Sequence, residues 1–66
     1  MKLPPKKILL YTDTTLVGGA ENHIFNLVRF LDREKFTPIV MCCGHKNLDE
    51  WSKKIRETGT QVIRLI

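Results

Sequence analysis

The fold of this chain is decided by residues 7–21, KILLYTDTTLVGGAE. The segment contains an unbroken apolar run, Ile8 to Tyr11, and continuous rather than alternating apolarity is typical of a parallel strand that is buried on both faces. Residues 13–19 are rich in residue types that accept turn geometry. The segment therefore predicts a strand over residues 7–12, then a loop, and then a helix that starts at Ala20.

The residues from Ala20 onward have the period of an amphipathic helix. Apolar side chains recur at helical spacing along one side, which we expect to be buried. They are Ala20, Ile24, Leu27, Val28 and Leu31. We expect the helix to end near residues 32–35.

The remaining residues predict a second strand, a second helix and a third strand. The strands are expected over residues 37–43 and 61–66. Between them, Asn47 and Glu50 have the spacing of a helix N-cap residue and its partner in a capping box, and Gly59 suits the position after the helix end. The buried stripe of this helix is expected to be Leu48, Trp51 and Ile55.

Strands that alternate with helices over short connections predict an α/β fold with a parallel sheet. We expect residues 1–66 to form one three-stranded βαβαβ Rossmann-like half-domain, with residues 1–6 as a tail. Right-handed crossovers predict the strand order 3-2-1 and place both helices on one face of the sheet. The other face then has no cover, so we expect the unit to be incomplete and to need more chain or a partner.

Composition and charge exclude several classes of protein. The net charge is +4, but acidic and basic residues are interspersed and no nucleic-acid-binding motif is present, so no nucleic-acid partner is expected. The basic cluster Lys2, Lys6 and Lys7 is interpreted as a solvated tail, with peripheral contact to anionic lipid as the alternative. No signal peptide or membrane-spanning run is present, and the expected compartment is the cytoplasm.

The two cysteines, Cys42 and Cys43, are adjacent in the second predicted strand. Neighbouring strand residues point to opposite faces, so we expect no disulfide between them. His45 adds only a third potential ligand, and zinc sites usually need four. We therefore expect buried free thiols and no metal site.

The loop after the first strand is the candidate binding site, because ligands of open parallel sheets bind at the carboxyl ends of the strands. Gly18 and Gly19 would let the backbone approach a phosphate at the start of the helix, or would serve the geometry of a tight turn. Asp13 would accept a hydrogen bond from a sugar hydroxyl or cap the loop, and Glu21 would complement the helix dipole. The dinucleotide fingerprint and the Walker motif are absent, which disfavours NAD and ATP as cofactors.

Residues 7–21 and the helix to Leu31 resemble the start of the family 4 retaining glycosyltransferases. These enzymes have the GT-B fold, with two facing Rossmann-like domains. Their first strand leads to a loop that ends Gly-Gly-Ala/Val-Glu, which is matched here by residues 18–21, GGAE. The segment Gly59–Val62 is similar to the family's entry to the third strand.

The resemblance implies transfer of a sugar from a nucleotide-sugar donor to an acceptor, with retention and without an obligatory metal or other cofactor. It implies that Gly18 and Gly19 contact the substrate through their backbone, with Asp13 and Glu21 nearby. The family's main donor-binding residues belong to a C-terminal domain that these residues do not include, so we expect no catalytic residue and no activity from this chain alone.

Two other functions remain open at this point. The first is a small non-catalytic Rossmann-like module that self-associates through an open sheet edge or face, or docks on a partner. The second is a generic nucleotide-binding half-domain that is unrelated to sugar transfer.

Overall fold

The computed structural model describes residues 3–65 of the chain. Three strands, two α-helices and one 3-10 turn alternate along the described residues. They are β1 (Lys6–Thr12), α1 (Gly19–Phe30), β2 (Phe36–Cys43), the 3-10 turn (Lys46–Leu48), α2 (Asp49–Glu57) and β3 (Gln61–Leu65). The predicted α/β class with three strands and two helices is confirmed. Residues 1, 2 and 66, which include Lys2 of the predicted basic cluster, lie outside the described residues.

The three strands form one parallel sheet in the order β1-β2-β3, with β2 in the centre. The register pairs Leu10 of β1 with Val40 of β2, and Val40 with Val62 of β3. Because all three strands run in the same direction, their carboxyl ends meet at one edge of the sheet. The connections that follow β1 and β2 both leave from that edge.

Both helices pack on the same face of the sheet. The buried core joins residues of α1, β2 and α2 in a single cluster, with Leu10, Phe25, Cys43 and Val62 packed against it. Its members are Ile24, Val28, Val40, Cys42, Leu48, Trp51 and Ile55. The three residues of the predicted second-helix stripe, Leu48, Trp51 and Ile55, are all buried, although Leu48 lies in the 3-10 turn before α2.

The opposite face of the sheet is uncovered within the described residues, as expected from the placement of both helices on one face, although the apolar run of β1 is of the kind typical of strands buried on both faces. Leu9 is 57% exposed and Tyr11 is 56% exposed. Alternate residues of β2 and β3 continue this apolar surface beside them. We call it the open face; it consists of Leu9, Tyr11, Ile39, Met41, Ile63 and Leu65.

Several predicted details of the helices are wrong. Helix α1 begins at Gly19 and ends at Phe30, and Ala20 and Leu27 of its predicted stripe are exposed. A helix that packs on one face of a sheet buries only one side, which here consists of Glu21, Ile24 and Val28. Lys6, assigned to the tail, is the first residue of β1.

The start of the second helix also differs from the prediction. A 3-10 turn precedes α2, and its N-cap residue is His45, whose Nδ1 accepts a hydrogen bond from the backbone N–H of Asn47 at 3.1 Å. Asn47 is therefore inside the turn instead of capping it. At the other end of α2, Gly59 has φ +85°, which confirms the left-handed position predicted after the helix.

Candidate functional site

The buried side chain of Glu21 anchors the connection between β1 and α1, residues 13–18, through hydrogen bonds. The Glu21 side chain is only 2% exposed, and its carboxylate accepts a hydrogen bond from the Thr12 hydroxyl at 2.6 Å and from the backbone N–H of Gly18 at 2.8 Å. The Glu21–Gly18 bond is the carboxylate half of a capping box, which brings the chain into the helix at a set angle. The two bonds tie the end of β1 to the start of α1.

The same hydrogen bonds keep the Glu21 carboxylate ionised. The hydrogen bond from Thr12 lowers the pKa of Glu21, burial opposes it, and the Gly18 N–H and Thr14 lower it further. Hydrogen bonds that favour the charged form have this effect because protonation removes an acceptor. The negative charge lies in the first turn of α1, where the helix dipole also favours it.

Two further contacts extend this network to neighbouring elements. The Trp51 indole N–H donates to the backbone carbonyl of Glu21 at 2.9 Å, so α2 helps to hold the start of α1. On the loop side, the Thr12 and Thr14 hydroxyls are 3.3 Å apart, and Thr14 donates to the carbonyl of Leu16 at 3.1 Å. We name Thr12, Thr14, Gly18, Glu21 and Trp51 the Glu21 network.

Neither Gly18, the last residue of the connection, nor Gly19, the first residue of α1, is required to be glycine by the chain's own backbone geometry. Gly18 has an extended backbone with φ −134°, which residues with side chains also adopt. A Cβ at Gly19 would have no atom within 4 Å, and one at Gly18 would make an ordinary contact at 3.5 Å with Glu21. The space beside Gly19 is therefore open to a ligand.

The start of α1 also offers unpaired donors. The first N–H groups of an α-helix have no partner inside the helix. Gly18 N–H is bonded to Glu21, but within residues 3–65 no hydrogen bond satisfies the N–H of Gly19 or Ala20. These two groups can donate to an oxygen atom of a ligand.

Asp13 occupies a different part of the same connection. It is exposed and lines a shallow pocket of about 230 Å³ together with Tyr11, Cys43 and Leu65. No hydrogen bond joins Asp13 to Gly18, Gly19 or Glu21 within the described residues. The structure thus brings Gly18, Gly19 and Glu21 together, and places Asp13 beside the carboxyl ends of β2 and β3.

The other candidate groups supply no reactive centre. Both cysteines are free thiols, with Cys42 buried and Cys43 half-buried, and burial raises the pKa of the Cys42 thiol. Within residues 3–65, no three histidine, cysteine or acidic side chains are grouped closely enough to hold a metal ion. None of the described helices has the length and apolar character needed to cross a membrane.

The residues of the Glu21 network that the sequence analysis missed are Thr12, Thr14 and Trp51. A polar residue at the exit of an apolar strand is a common sequence feature, so nothing local singles out Thr12. The three-residue spacing between Gly18 and Glu21 did carry a usable signal, because it is the spacing of a capping box. Trp51 lies thirty residues from Glu21, and no local pattern links the two.

Comparison with protein-family models, with curated proteins and with solved structures gave no significant match for this chain.

Proposed function

We propose that this chain is the N-terminal portion of a cytoplasmic retaining glycosyltransferase, with a Rossmann-like unit that binds part of a nucleotide-sugar donor. The observation that supports this most strongly is that the fold itself does not require glycine at positions 18 and 19. Neither Gly18 nor Gly19 has positive φ, and a side chain at Gly19 would meet nothing within the chain. Glycine at these positions is explained by the close approach of a ligand to the backbone.

The proposed contacts divide between two chemical groups. The N–H groups of Gly19 and Ala20 would donate to the donor diphosphate at the start of α1. Asp13, in its shallow pocket, would accept hydrogen bonds from sugar or acceptor hydroxyls. Glu21 has its carboxylate engaged by Thr12 and Gly18, so its part is to position the glycine loop.

Electrostatics predicts that this chain alone binds the donor weakly. The Glu21 carboxylate is negative and adjoins the proposed diphosphate position. The resemblance assigns the basic residues that neutralise the diphosphate to a C-terminal domain. We therefore expect a dissociation constant on the order of millimolar for this chain, equivalent to about −4 kcal/mol.

The test is a ligand-observed NMR titration of the 66-residue chain with nucleotide-sugars, the corresponding nucleoside diphosphates and inorganic diphosphate. The proposal predicts that nucleotide-sugars bind several-fold more tightly than the ligands that lack sugar. Gly19→Val should abolish this binding, because the added side chain would occupy the ligand's space. Equal binding of nucleotides with and without sugar would indicate a generic nucleotide-binding unit instead.

Gly44→Val is the control, because Gly44 is an exposed glycine without positive φ in the connection after β2. It should bind nucleotide-sugars as the wild type does. If Gly19→Val bound as well as Gly44→Val, the glycine pair would have no part in binding and the proposal would lose its main support.

A second candidate function is a non-catalytic module that associates with itself or with another protein. The observation that favours it is the open face, an apolar sheet surface with no cover among the described residues. The two functions are distinguished by what occupies that face.

A further inference from the structure

The open face has an apolar centre and charged ends. Its apolar side chains come from all three strands, and Leu9, Tyr11 and Leu65 are each more than a third exposed. Along β1 the alternation places Lys7 at one end of this face and Asp13 just beyond the other. Both of these residues are exposed.

Lys7 and Asp13 have no ion-pair partner among residues 3–65. They are separated by six residues, which corresponds to about 20 Å along an extended strand. The face therefore has one positive and one negative end with apolar surface between them. A surface with this arrangement is complementary to itself when one copy is reversed.

We propose that the open face is the contact surface between two copies of this chain, packed face to face with their strands antiparallel. A two-fold axis that crosses the strands near the row Leu10, Val40 and Val62 would reverse the strand direction and keep β1 over β1. Lys7 of each copy would then lie opposite Asp13 of the partner. The open faces of the two sheets would become a shared core about 10 Å thick.

The charges select this arrangement over the parallel one. A two-fold axis along the strands would place β1 over β3, so that Lys7 lay level with the uncharged Gly59 and Asp13 lay level with the apolar Leu65. That packing buries similar apolar surface but forms no ion pair. The antiparallel packing forms two equivalent pairs, as an isologous interface requires.

The size of the face limits the strength of the dimer. Three strands about 4.8 Å apart and about 20 Å long give a footprint of roughly 300 Å² per copy. Standard stable interfaces bury about 800 Å² per partner. We expect a weak dimer with a dissociation constant on the order of 0.1 mM. This proposal belongs with the second candidate function. The dimer would cover the pocket of Tyr11, Asp13 and Leu65, so that pocket would be open to sugar hydroxyls only in the monomer.

The test is sedimentation equilibrium of the 66-residue chain from about 10 µM to about 1 mM. The wild type should change from monomer to dimer across this range and form nothing larger. Leu9→Gln should weaken the dimer at least tenfold, because two apolar contacts are lost in each dimer. Leu16→Gln is the matched control: Leu16 is 66% exposed but lies in the loop, so its replacement should leave the dimer unchanged.

The charge arrangement is tested by reversal. Lys7→Glu and Asp13→Lys should each weaken the dimer about tenfold, because two exposed pairs per dimer become repulsive. The double variant, Lys7→Glu with Asp13→Lys, should recover most of the wild-type affinity. Circular dichroism and Trp51 fluorescence should be unchanged in every variant, since the replaced side chains are exposed.

Three results would overturn the proposal. A wild type that remains monomeric at about 1 mM would show that the open face takes some other occupant. Association that Leu9→Gln leaves unchanged would place the contact elsewhere, for example at a sheet edge. Failure of the double variant to recover affinity would reject the antiparallel arrangement.

Discussion

The connections that follow β1 and β2 lie at the same edge of the sheet but are held by groups of opposite charge. After β1, the buried Glu21 carboxylate accepts hydrogen bonds from Thr12 and Gly18. After β2, Arg64 reaches from β3 and donates to surrounding acceptors. These are the carbonyls of Cys43 and His45, the Ser52 hydroxyl and the Asp49 carboxylate, at 2.8–3.0 Å.

This difference decides which connection can take a ligand. In the connection after β2, the N–H of Asn47 donates to His45 Nδ1 and the N–H of Leu48 donates to the His45 carbonyl. In the connection after β1, the N–H groups of Gly19 and Ala20 have no acceptor within the described residues. The backbone N–H groups after β1 are therefore available to a ligand, whereas those after β2 already donate to His45.

Removing the Glu21 carboxylate should give the largest loss of stability. Glu21→Ala leaves the Gly18 N–H and the Thr12 hydroxyl without their acceptor and opens a cavity in a buried position. We expect a decrease in the free energy of unfolding of about 3 kcal/mol, measured by urea denaturation with Trp51 fluorescence. Glu57→Ala, at an exposed position of α2, should change it by less than about 0.5 kcal/mol. Similar effects of the two substitutions would contradict the anchoring role of Glu21.

Loss of Arg64 should have the second largest effect. Arg64→Met retains the length of the side chain but removes all of its hydrogen bonds, and several acceptors around the second connection lose their donor. We expect a decrease of about 2 kcal/mol in the free energy of unfolding, and Arg64→Lys should recover part of it. Arg56→Met, in an exposed position of α2, is the control. An unchanged unfolding midpoint for Arg64→Met would mean that the connection is held by its backbone alone.

The stability that the connection after β1 gains from Glu21 should be lost in acid. The pKa of Glu21 is lowered in the folded state from its ordinary value of 4.5, so the unfolded state binds a proton first as the pH falls. The stability that Glu21 contributes is therefore fully present above about pH 4.5 and is lost as the pH falls through the lower folded-state pKa. The free energies of unfolding of the wild type and Glu21→Gln should therefore become more similar as the pH falls below about 4.5. A difference in the free energy of unfolding between the two proteins that stays constant below pH 4.5 would contradict the lowered pKa.

Substituting alanine for Gly19 or Gly59 should give the smallest changes in the free energy of unfolding, and the two changes should have opposite signs. Gly19→Ala meets open space at negative φ, so it should raise the free energy of unfolding by about 0.5 kcal/mol through the entropy of the unfolded chain. Gly59→Ala places a side chain at φ +85° and should lower it by about 1 kcal/mol. Thermal unfolding of both variants checks the contrast. A loss of stability in Gly19→Ala would mean that the fold itself requires this glycine.

The strands and helices of this fold could be predicted because each has a hydrophobic pattern that can be recognised within its own short segment of sequence. The apolar run of β1 and the stripe of Leu48, Trp51 and Ile55, which spans the 3-10 turn and α2, depend on neighbouring residues only. The extent of burial follows from topology and not from the local pattern. The apolar run of β1 is typical of burial on both faces, but right-handed crossovers place both helices on one face and leave the other uncovered. Leu9 and Tyr11 are exposed for that reason.

The candidate site was predictable only in part. Gly18, Gly19 and Asp13 were found from their place at the end of a strand. The burial of Glu21 was not, because a carboxylate in the first turn of a helix is ordinarily solvated and its partner Thr12 belongs to another element. The start of α2 was misplaced because a 3-10 turn precedes it, and the Asn47–Glu50 spacing fits a capping box without forming one.

The most direct test of the account is a residue-resolved titration of the ¹⁵N-labelled chain with a nucleotide-sugar, followed by amide chemical shifts. The account predicts progressive shifts at Gly18, Gly19 and Ala20, with residues 44–48 unchanged at the same ligand concentrations. Shifts confined to residues 44–48, or no shifts at ligand concentrations of several millimolar, would contradict the assignment of the site to the connection after β1.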